Sequence, residues 1–316
     1  MVAASVSISE GFKVRELLST NTKLEKPVSG GLPYLVRGLS MAPANHSGYE
    51  VCKYRGACAD ACVLWFAGRT VTRSVRAAAI ERTRLFFEDR PGFIAKLCEE
   101  ITKAGDKAWR DGAQLAIRFN TASDLPFERI APAIFEAVDS VGGVAYDYTK
   151  YPYDKRPDLP ECYHLTHSIS EDTTLSDIRG AIDRGRNVAL VVNAPYNANG
   201  RHRKYGYIPE RVRFATGSEC ITLETVDGDS IGDVRTPETD GRGKVVVLRG
   251  KGGRARVAEA VTGGFIRSLS WERTRGGGSY LEFSGWDSEF SGAHTDRLPL
   301  DNSMRRGGCL DLEVSA

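Results

Sequence analysis

Apolar positions along the 316-residue chain fall into two recurring kinds. Short, nearly continuous apolar runs read as strands: Leu35–Leu39, QLAIRFN at 114–120, VAYDYTK at 144–150, CYHLTHSIS at 162–170, NVALVVNA at 187–194, ECITLETVDGD at 219–229 and GKVVVLRG at 243–250. Between them the period lengthens to that of a helix. Val75, Ala79, Ile80, Thr83 and Phe87 share one face of a helix over 71–88, and Asp89-Arg-Pro91 breaks it. A second helix starts at Pro91, a residue suited to a first turn, and carries Phe93, Ile94, Leu97, Ile101, Ala104 and Ala108 to a stop at Asp111-Gly112. SDLPFERIAPAIFEAVDSVGG reads as loop and helix, and TTLSDIRGAIDRG as a helix capped by Thr and ended by Gly185.

Strands with all-apolar cores, alternating with helices, predict parallel strands joined by right-handed crossovers. The expected fold class is α/β: a complete or partial (β/α) barrel over 31–269. Residues 1–30 form an arm or cap with a helical patch near Phe12–Leu18. A small β-rich C-terminal appendage and tail occupies 270–316, where WERTRGGGSYLEFSGWDSEFSG is rich in glycine and aromatic residues.

Composition (41% hydrophobic, 27% charged) is that of a globular protein, and the net charge of +2 gives no global attraction to nucleic acid. Two local basic clusters, Arg69/Arg73/Arg76/Arg82/Arg84 and Lys244/Arg249/Lys251/Arg254/Arg256, are solvated faces or, if they border one cleft, phosphate contacts. No apolar run approaches the ~18 residues that cross a bilayer, and the N-terminal pattern is not that of a signal peptide, so a cytoplasmic location without membrane partners is expected. Three of the seven cysteines crowd into eleven residues, which suits a reducing compartment better than a disulfide framework.

Those three, Cys52, Cys58 and Cys62, follow the first strand in HSGYEVCKYRGACADACVLWFAGR. Three thiolates on a loop can converge on one soft centre, zinc or an iron–sulfur cluster. A structural zinc would want a fourth ligand, for which His46 is nearest; a [4Fe-4S] cluster with three thiolates keeps one iron open. Buried, inert cysteines are the alternative. Cys98 and Cys162 read as packing residues.

In a barrel the chemistry sits at the C-terminal strand ends. There the chain offers Asn120, Ser123 and Asp124, then Lys150, His167, Ser168, Asn193 and Asp227. Asp124, Lys150, His167 and Asp227 are the candidate catalytic residues, and Asn120, Ser123, Ser168 and Asn193 the candidate cofactor contacts. Each has a plainer reading: FNTASD as a turn with Asp124 capping a helix, Lys150 as a surface charge, and TVDGD around Asp227 as a simple turn. His164 and His167, three apart in a strand, lie on opposite faces and cannot share a metal.

The segments YLVRGLSMAPA, VCKYRGACADACVLWFAGR, RTRLFFEDR, RFNTASDLPFE, YDYTK, YHLTHSIS and TVDGD, in this order over roughly 15–265, resemble a family of uncharacterised barrel proteins encoded in bacteriophage genomes. That resemblance implies a host-cytoplasmic setting. More remotely, a three-cysteine loop after the first strand looks like the radical SAM enzymes, which implies a four-iron cluster and S-adenosylmethionine, although C-x5-C-x3-C is not their usual spacing. Strand-end aspartates are also similar to those of the barrel transglycosylases that exchange guanine for a deazaguanine in tRNA or phage DNA. The expectation is a metalloenzyme acting on a nucleotide or nucleic-acid base, with DNA modification as its context. The alternative is a non-catalytic nucleic-acid-binding protein with a structural zinc.

Overall fold

The computed structural model describes residues 14–21, 24, 33–59, 62–66, 72–193, 208, 210–216, 219–229, 232–250, 254–268, 271–273, 279–283 and 310–311. Its strands are β1 (Leu18–Ser19), β2 (Tyr34–Leu39), β3 (Gln114–Arg118), β4 (Val144–Thr149), β5 (Tyr163–Ser168), β6 (Val188–Asn193), β7 (Arg211–Thr216), β8 (Glu219–Asp227), β9 (Val245–Arg249), β10 (Arg267–Ser268), β11 (Trp271–Arg273), β12 (Ser279–Phe283) and β13 (Leu310–Asp311). Helices are α1 (Val63–Phe66), α2 (Arg73–Glu88), α3 (Arg90–Arg110), α4 (Phe127–Ile130), α5 (Ala133–Ser140), α6 (Leu175–Asp183), α7 (Pro237–Asp240) and α8 (Arg254–Thr262).

The expected α/β class holds, with a largely parallel sheet. Strands β2, β3, β4, β5, β6 and β9 lie side by side, every neighbouring pair parallel. The expected closure into a complete barrel does not hold: the order β1-β2-β3-β4-β5-β6-β9-β8-β7-β12-β11 leaves an open sheet. Two departures account for this. β7 and β8 form an antiparallel hairpin, and β9 inserts between β6 and β8. From β4 to β5 the chain crosses through a single 3-10 turn at Tyr153–Lys155 in place of an α-helix.

Side chains alternating along the strands bury two faces. On one, Leu39, Leu115, Ile117, Phe119 and Leu165 pack with Phe93, Leu97 and Ile101 of α3 and with Ile134, Phe135 and Val138 of α5. The rings of Phe93, Phe86, Phe127, Phe119, Phe135 and Tyr163 meet in succession, mostly edge to face, at centroid spacings of 4.6–5.9 Å. Each such ring removed from water contributes about 1.5–3 kcal/mol. On the opposite face Val36, Ala116 and Tyr146 pack with Leu24 and Val234.

α3 obeys its sequence closely. Asp89 accepts the Gly92 N–H, Pro sits in the first turn, and the buried stripe is Phe93, Leu97, Ile101 and Ala108. α2 is rotated from its expected stripe: Ala79, Thr83, Leu85 and Phe86 are buried while Val75 is exposed. α6 begins at a Thr174–Asp177 capping box and ends at Gly185, whose φ of +68° suits glycine.

No helix is present in Val14–Leu18, the described part of the expected helical patch: Leu17 and Leu18 are buried in the core and β1 pairs with β2. The described strands after 270 continue the main sheet, β12 beside β7 and β13 beside β8. Among the described residues, no helix is long and apolar enough to cross a membrane.

Candidate functional site

The cysteine loop leaves β2 at its C-terminal end and folds back under short-range bonds: Val51 N–H to Ala44 O, Arg55 N–H to Cys52 O and Cys58 N–H to Arg55 O. Ala44, a non-glycine residue at φ +51°, donates its N–H to Cys52 Sγ at 3.4 Å. The Cys52 thiol in turn donates to Ala122 O at 3.8 Å, in the turn after β3. α2 holds the loop from behind. Arg76 donates to Trp65 O (2.7 Å), Arg84 to Ser47 O (3.2 Å), and Tyr49 stacks on Phe87 at 4.4 Å.

Arg76, Arg82 and Arg84 of the first basic cluster are therefore structural, Arg82 likewise donating to Glu16 O and Ser40 O, while Arg69 lies outside the described residues. His46 stacks on Trp65 at 4.5 Å, with the Arg76 guanidinium also packed on the indole.

Cys52, Cys58, Cys62, Cys98 and Cys162 are not disulfide-bonded. Cys220, by contrast, is disulfide-bonded. Burial pushes Cys52 up to about 12; a hydrogen bond from Ala44 opposes the rise, and charge on Asp124, Cys62 and Cys58 adds to it. The three cysteines of the loop are thus close enough to feel one another. Among the described residues, no group of three His, Cys, Asp or Glu side chains stands in metal-holding geometry. What the loop offers is the donor chemistry of a soft centre, three cysteine sulfurs on one short loop.

Lys150, just past β4, joins them. Burial works against its charge, but Cys58, hydrogen-bonded to its ammonium, and Asp124 hold its pKa above the ordinary value. Its Nζ also lies 4.6 Å from the Phe265 ring centroid. Asp124 does not cap a helix: α4 has no side-chain cap, and Asp124 Oδ2 accepts the Lys150 N–H at 2.7 Å. Its Oδ1 lies 3.5 Å from Arg156, a fully buried guanidinium that also donates twice to Glu128 and once to the Tyr163 hydroxyl. Burial raises the Asp124 carboxyl despite Arg156 and the Lys150 N–H.

Asn120 and Ser123 form the turn itself. Asn120 Oδ1 accepts from Ser123 Oγ and Leu125 N, while its Nδ2 donates to Leu125 O and Asp147 Oδ2. Asp147 also takes the Asn120 N–H (2.6 Å) and the Tyr163 hydroxyl (2.8 Å), and burial nevertheless raises it to about 7. His167 is bracketed by Tyr151 O at Nδ1 (3.2 Å) and Arg186 at Nε2 (3.3 Å), which assigns the proton to Nδ1. Burial and Arg186 push its ring down to about 3, so it is neutral.

A cavity of about 230 Å³ opens between the cysteine loop, the chain after β4 and the end of β5; Lys150, His167 and Ser168 line it. Asp227 lies elsewhere. β8 is four places along the sheet from β4, and Arg249 grips the Asp227 carboxylate through both oxygens at 2.9 and 3.0 Å. Asn193 pairs with Ser268 of β10 at the end of β6.

Glu171 was not marked by the sequence. It accepts the Ala57 N–H and fills the space where a side chain at Gly56 would go, tying the cysteine loop to the β5 end. Its place three residues past a strand is the only local signal.

The model of a family of phage gene products, Gene product 88, matches residues 15–267. The chain belongs to the Gene product 88 family. The match begins just before β1 and ends at β10, so the cysteine loop, the cavity and every strand-end residue above lie within the family's span. No curated protein and no solved structure matches the chain.

Proposed function

We propose that this Gene product 88 protein is an enzyme in which Cys52, Cys58 and Cys62 bind a metal centre, a [4Fe-4S] cluster, next to a cavity that receives a nucleotide or nucleic-acid base. The observation that carries this reading is that Cys58 and Cys62 both lie near Cys52, with Lys150 against Cys58 and Cys52, past the C-terminal ends of parallel strands. The consecutive order of β2, β3, β4, β5 and β6 supports an open segment of a (β/α) barrel, in which that end of the strands is where chemistry is assembled.

A cluster held by three thiolates supplies one-electron chemistry and an iron with an open position, where S-adenosylmethionine is the cofactor to test first. The chain's own groups set its surroundings. Lys150 places an ammonium beside Cys58 and offsets thiolate charge. Asp124 fixes the Lys150 backbone, and Arg156 fixes Asp124. Neutral His167 keeps the wall of the cavity uncharged. The phage family makes DNA modification the natural context, by association. Base exchange through paired aspartates has less support, because Asp227 lies far along the sheet in a grip by Arg249.

Anaerobic purification with iron, sulfide and zinc analysis tests the reading. About four irons per chain with a broad visible absorption, both lost in the Cys52→Ala/Cys58→Ala/Cys62→Ala variant, is the expected result. One zinc per chain in colourless protein would move the reading to a structural site. A chain that takes up neither metal after reconstitution would end it.

A further inference from the structure

We propose that the cavity between the cysteine loop and the ends of β4 and β5 binds a free nucleoside monophosphate, its phosphate at Lys53 and Lys150 and its base against Tyr54 and Tyr151. This deepens the reading above and rests on it for what happens to the ligand, though not for binding.

Size comes first. At about 230 Å³ the cavity lies a little below the ~300–1,000 Å³ usual for organic ligands, which limits it to one small ligand. Its volume is roughly eight times the ~30 Å³ a water occupies in the liquid, enough for one base with its sugar and too little for two nucleotides.

Charge comes next. Of the acidic groups in the wall, Asp177 is occupied by the capping box, accepting Thr174 N and Oγ1 at 2.8 and 2.7 Å, and Asp172 is exposed. His167 carries no charge, its ring being pushed down to about 3 by burial and Arg186. Two ammonium groups remain: Lys53 at the exposed rim and Lys150 deeper in. With Asp172 and Asp177 the wall as a whole is balanced, and the two lysines are the groups placed to meet a phosphate.

Shape and polarity narrow the anion. Tyr54 and Tyr151 meet edge to face at 4.6 Å, one from each side of the opening, and both line the cavity. Phenol faces accept a flat base without regard to its identity. Ser168, Ser170 and Thr173 add hydroxyls along the β5 side, suited to the donors and acceptors of a sugar. Inorganic phosphate would leave the rings unused, and an uncharged nucleoside would leave the lysines unused.

Isothermal titration calorimetry of the full chain tests this with AMP, GMP, CMP and dTMP, the matching nucleosides, inorganic phosphate, and a single-stranded oligonucleotide. Saturable binding of at least one monophosphate is expected, tighter than its nucleoside and tighter than phosphate. Lys53→Glu should weaken the monophosphate by about tenfold and leave the nucleoside unchanged, and Tyr54→Ala should weaken both. No binding of any monophosphate, preference for the oligonucleotide alone, or equal loss for nucleoside and monophosphate in Lys53→Glu overturns the proposal. Metal content measured on the same preparations separates the two readings: bound metal without nucleotide binding sinks only this one, and nucleotide binding without metal uptake sinks only the other.

Discussion

Two polar regions of the parallel sheet are built on opposite plans. On the sheet face turned away from α3 and α5 the segment after β8 covers the strands, Val234 joining Val36, Ala116 and Tyr146 in one apolar cluster with Tyr34 and Val144 packed against it. Around it Arg118 donates to both oxygens of Asp233 at 3.1 Å, Tyr146 donates to the same carboxylate at 3.0 Å, and Arg235 donates to Tyr148, Asp240 and the carbonyls of Gly228 and Gly232. Two guanidinium groups meet two carboxylates, a closed set of opposite charges. Beyond the C-terminal ends of β4 and β5, the cysteine loop, Lys150 and the β5 hydroxyls surround an open cavity. A polar group buried with its counter-charge inside the chain serves the fold, whereas one facing a cavity is available to a ligand.

The sharpest way to break this contrast is Asp233→Ala. It strands a buried Arg118 and the Tyr146 hydroxyl, and we expect about 3–5 kcal/mol of destabilisation by urea unfolding. A loss of under ~1 kcal/mol would mean that the covering segment does not depend on its charges.

Asp147 carries a pH signature. Its folded pKa, raised by burial to about 7 from an ordinary 3.8, means that the native state holds its proton more tightly than the unfolded chain. The stability it contributes is complete below pH 3.8 and is lost as pH rises through about 7. Relative to Asp147→Asn, the protein should lose stability across that window. A stability difference that stays flat with pH would show a carboxylate ionised throughout, as the donors from Asn120 and Tyr163 alone would favour.

Gly56→Ala acts at the open cavity. Its φ of +45° and the carboxylate of Glu171 in its side-chain space predict loss of the Ala57–Glu171 bond and about 1–3 kcal/mol, read as a lower melting temperature. An unchanged melting temperature would show that Glu171 moves aside at no cost. Trp109→Ser is the smallest test. Trp109 is 83% exposed, far from either network, and a change within about 0.5 kcal/mol is expected.

Local chemistry made much of the fold legible. Asp89-Arg-Pro91 divided α2 from α3, Thr174 and Asp177 opened α6, and apolar runs marked β2 to β6, β8 and β9. Strand order was not local. The insertion of β9 between β6 and β8 and the β7–β8 hairpin depend on which edges meet, and the RVRFAT run of β7 alternates charge with apolar residues beside a polar stretch. The site divides in the same way. Cysteine spacing announced the loop, and strand ends announced Asp124, Lys150 and Ser168. Arg156, Glu128 and Glu171 act through partners 28 and 114 residues away, which no window of sequence contains. Asn120 bears a ligand-like side chain whose hydrogen bonds all close within its own turn and onto Asp147.

The arginines of α2 grip the cysteine loop through carbonyl oxygens, not carboxylates. Dissolved ions weaken attraction between opposite charges, over only about 3 Å at 1 M ionic strength, but compete poorly for a guanidinium already bonded to a nearby backbone dipole. The loop should therefore keep its shape in brine strong enough to strip nucleic acid from the surface, and a wash of that kind can remove adventitious polyanions while leaving the thiols in place.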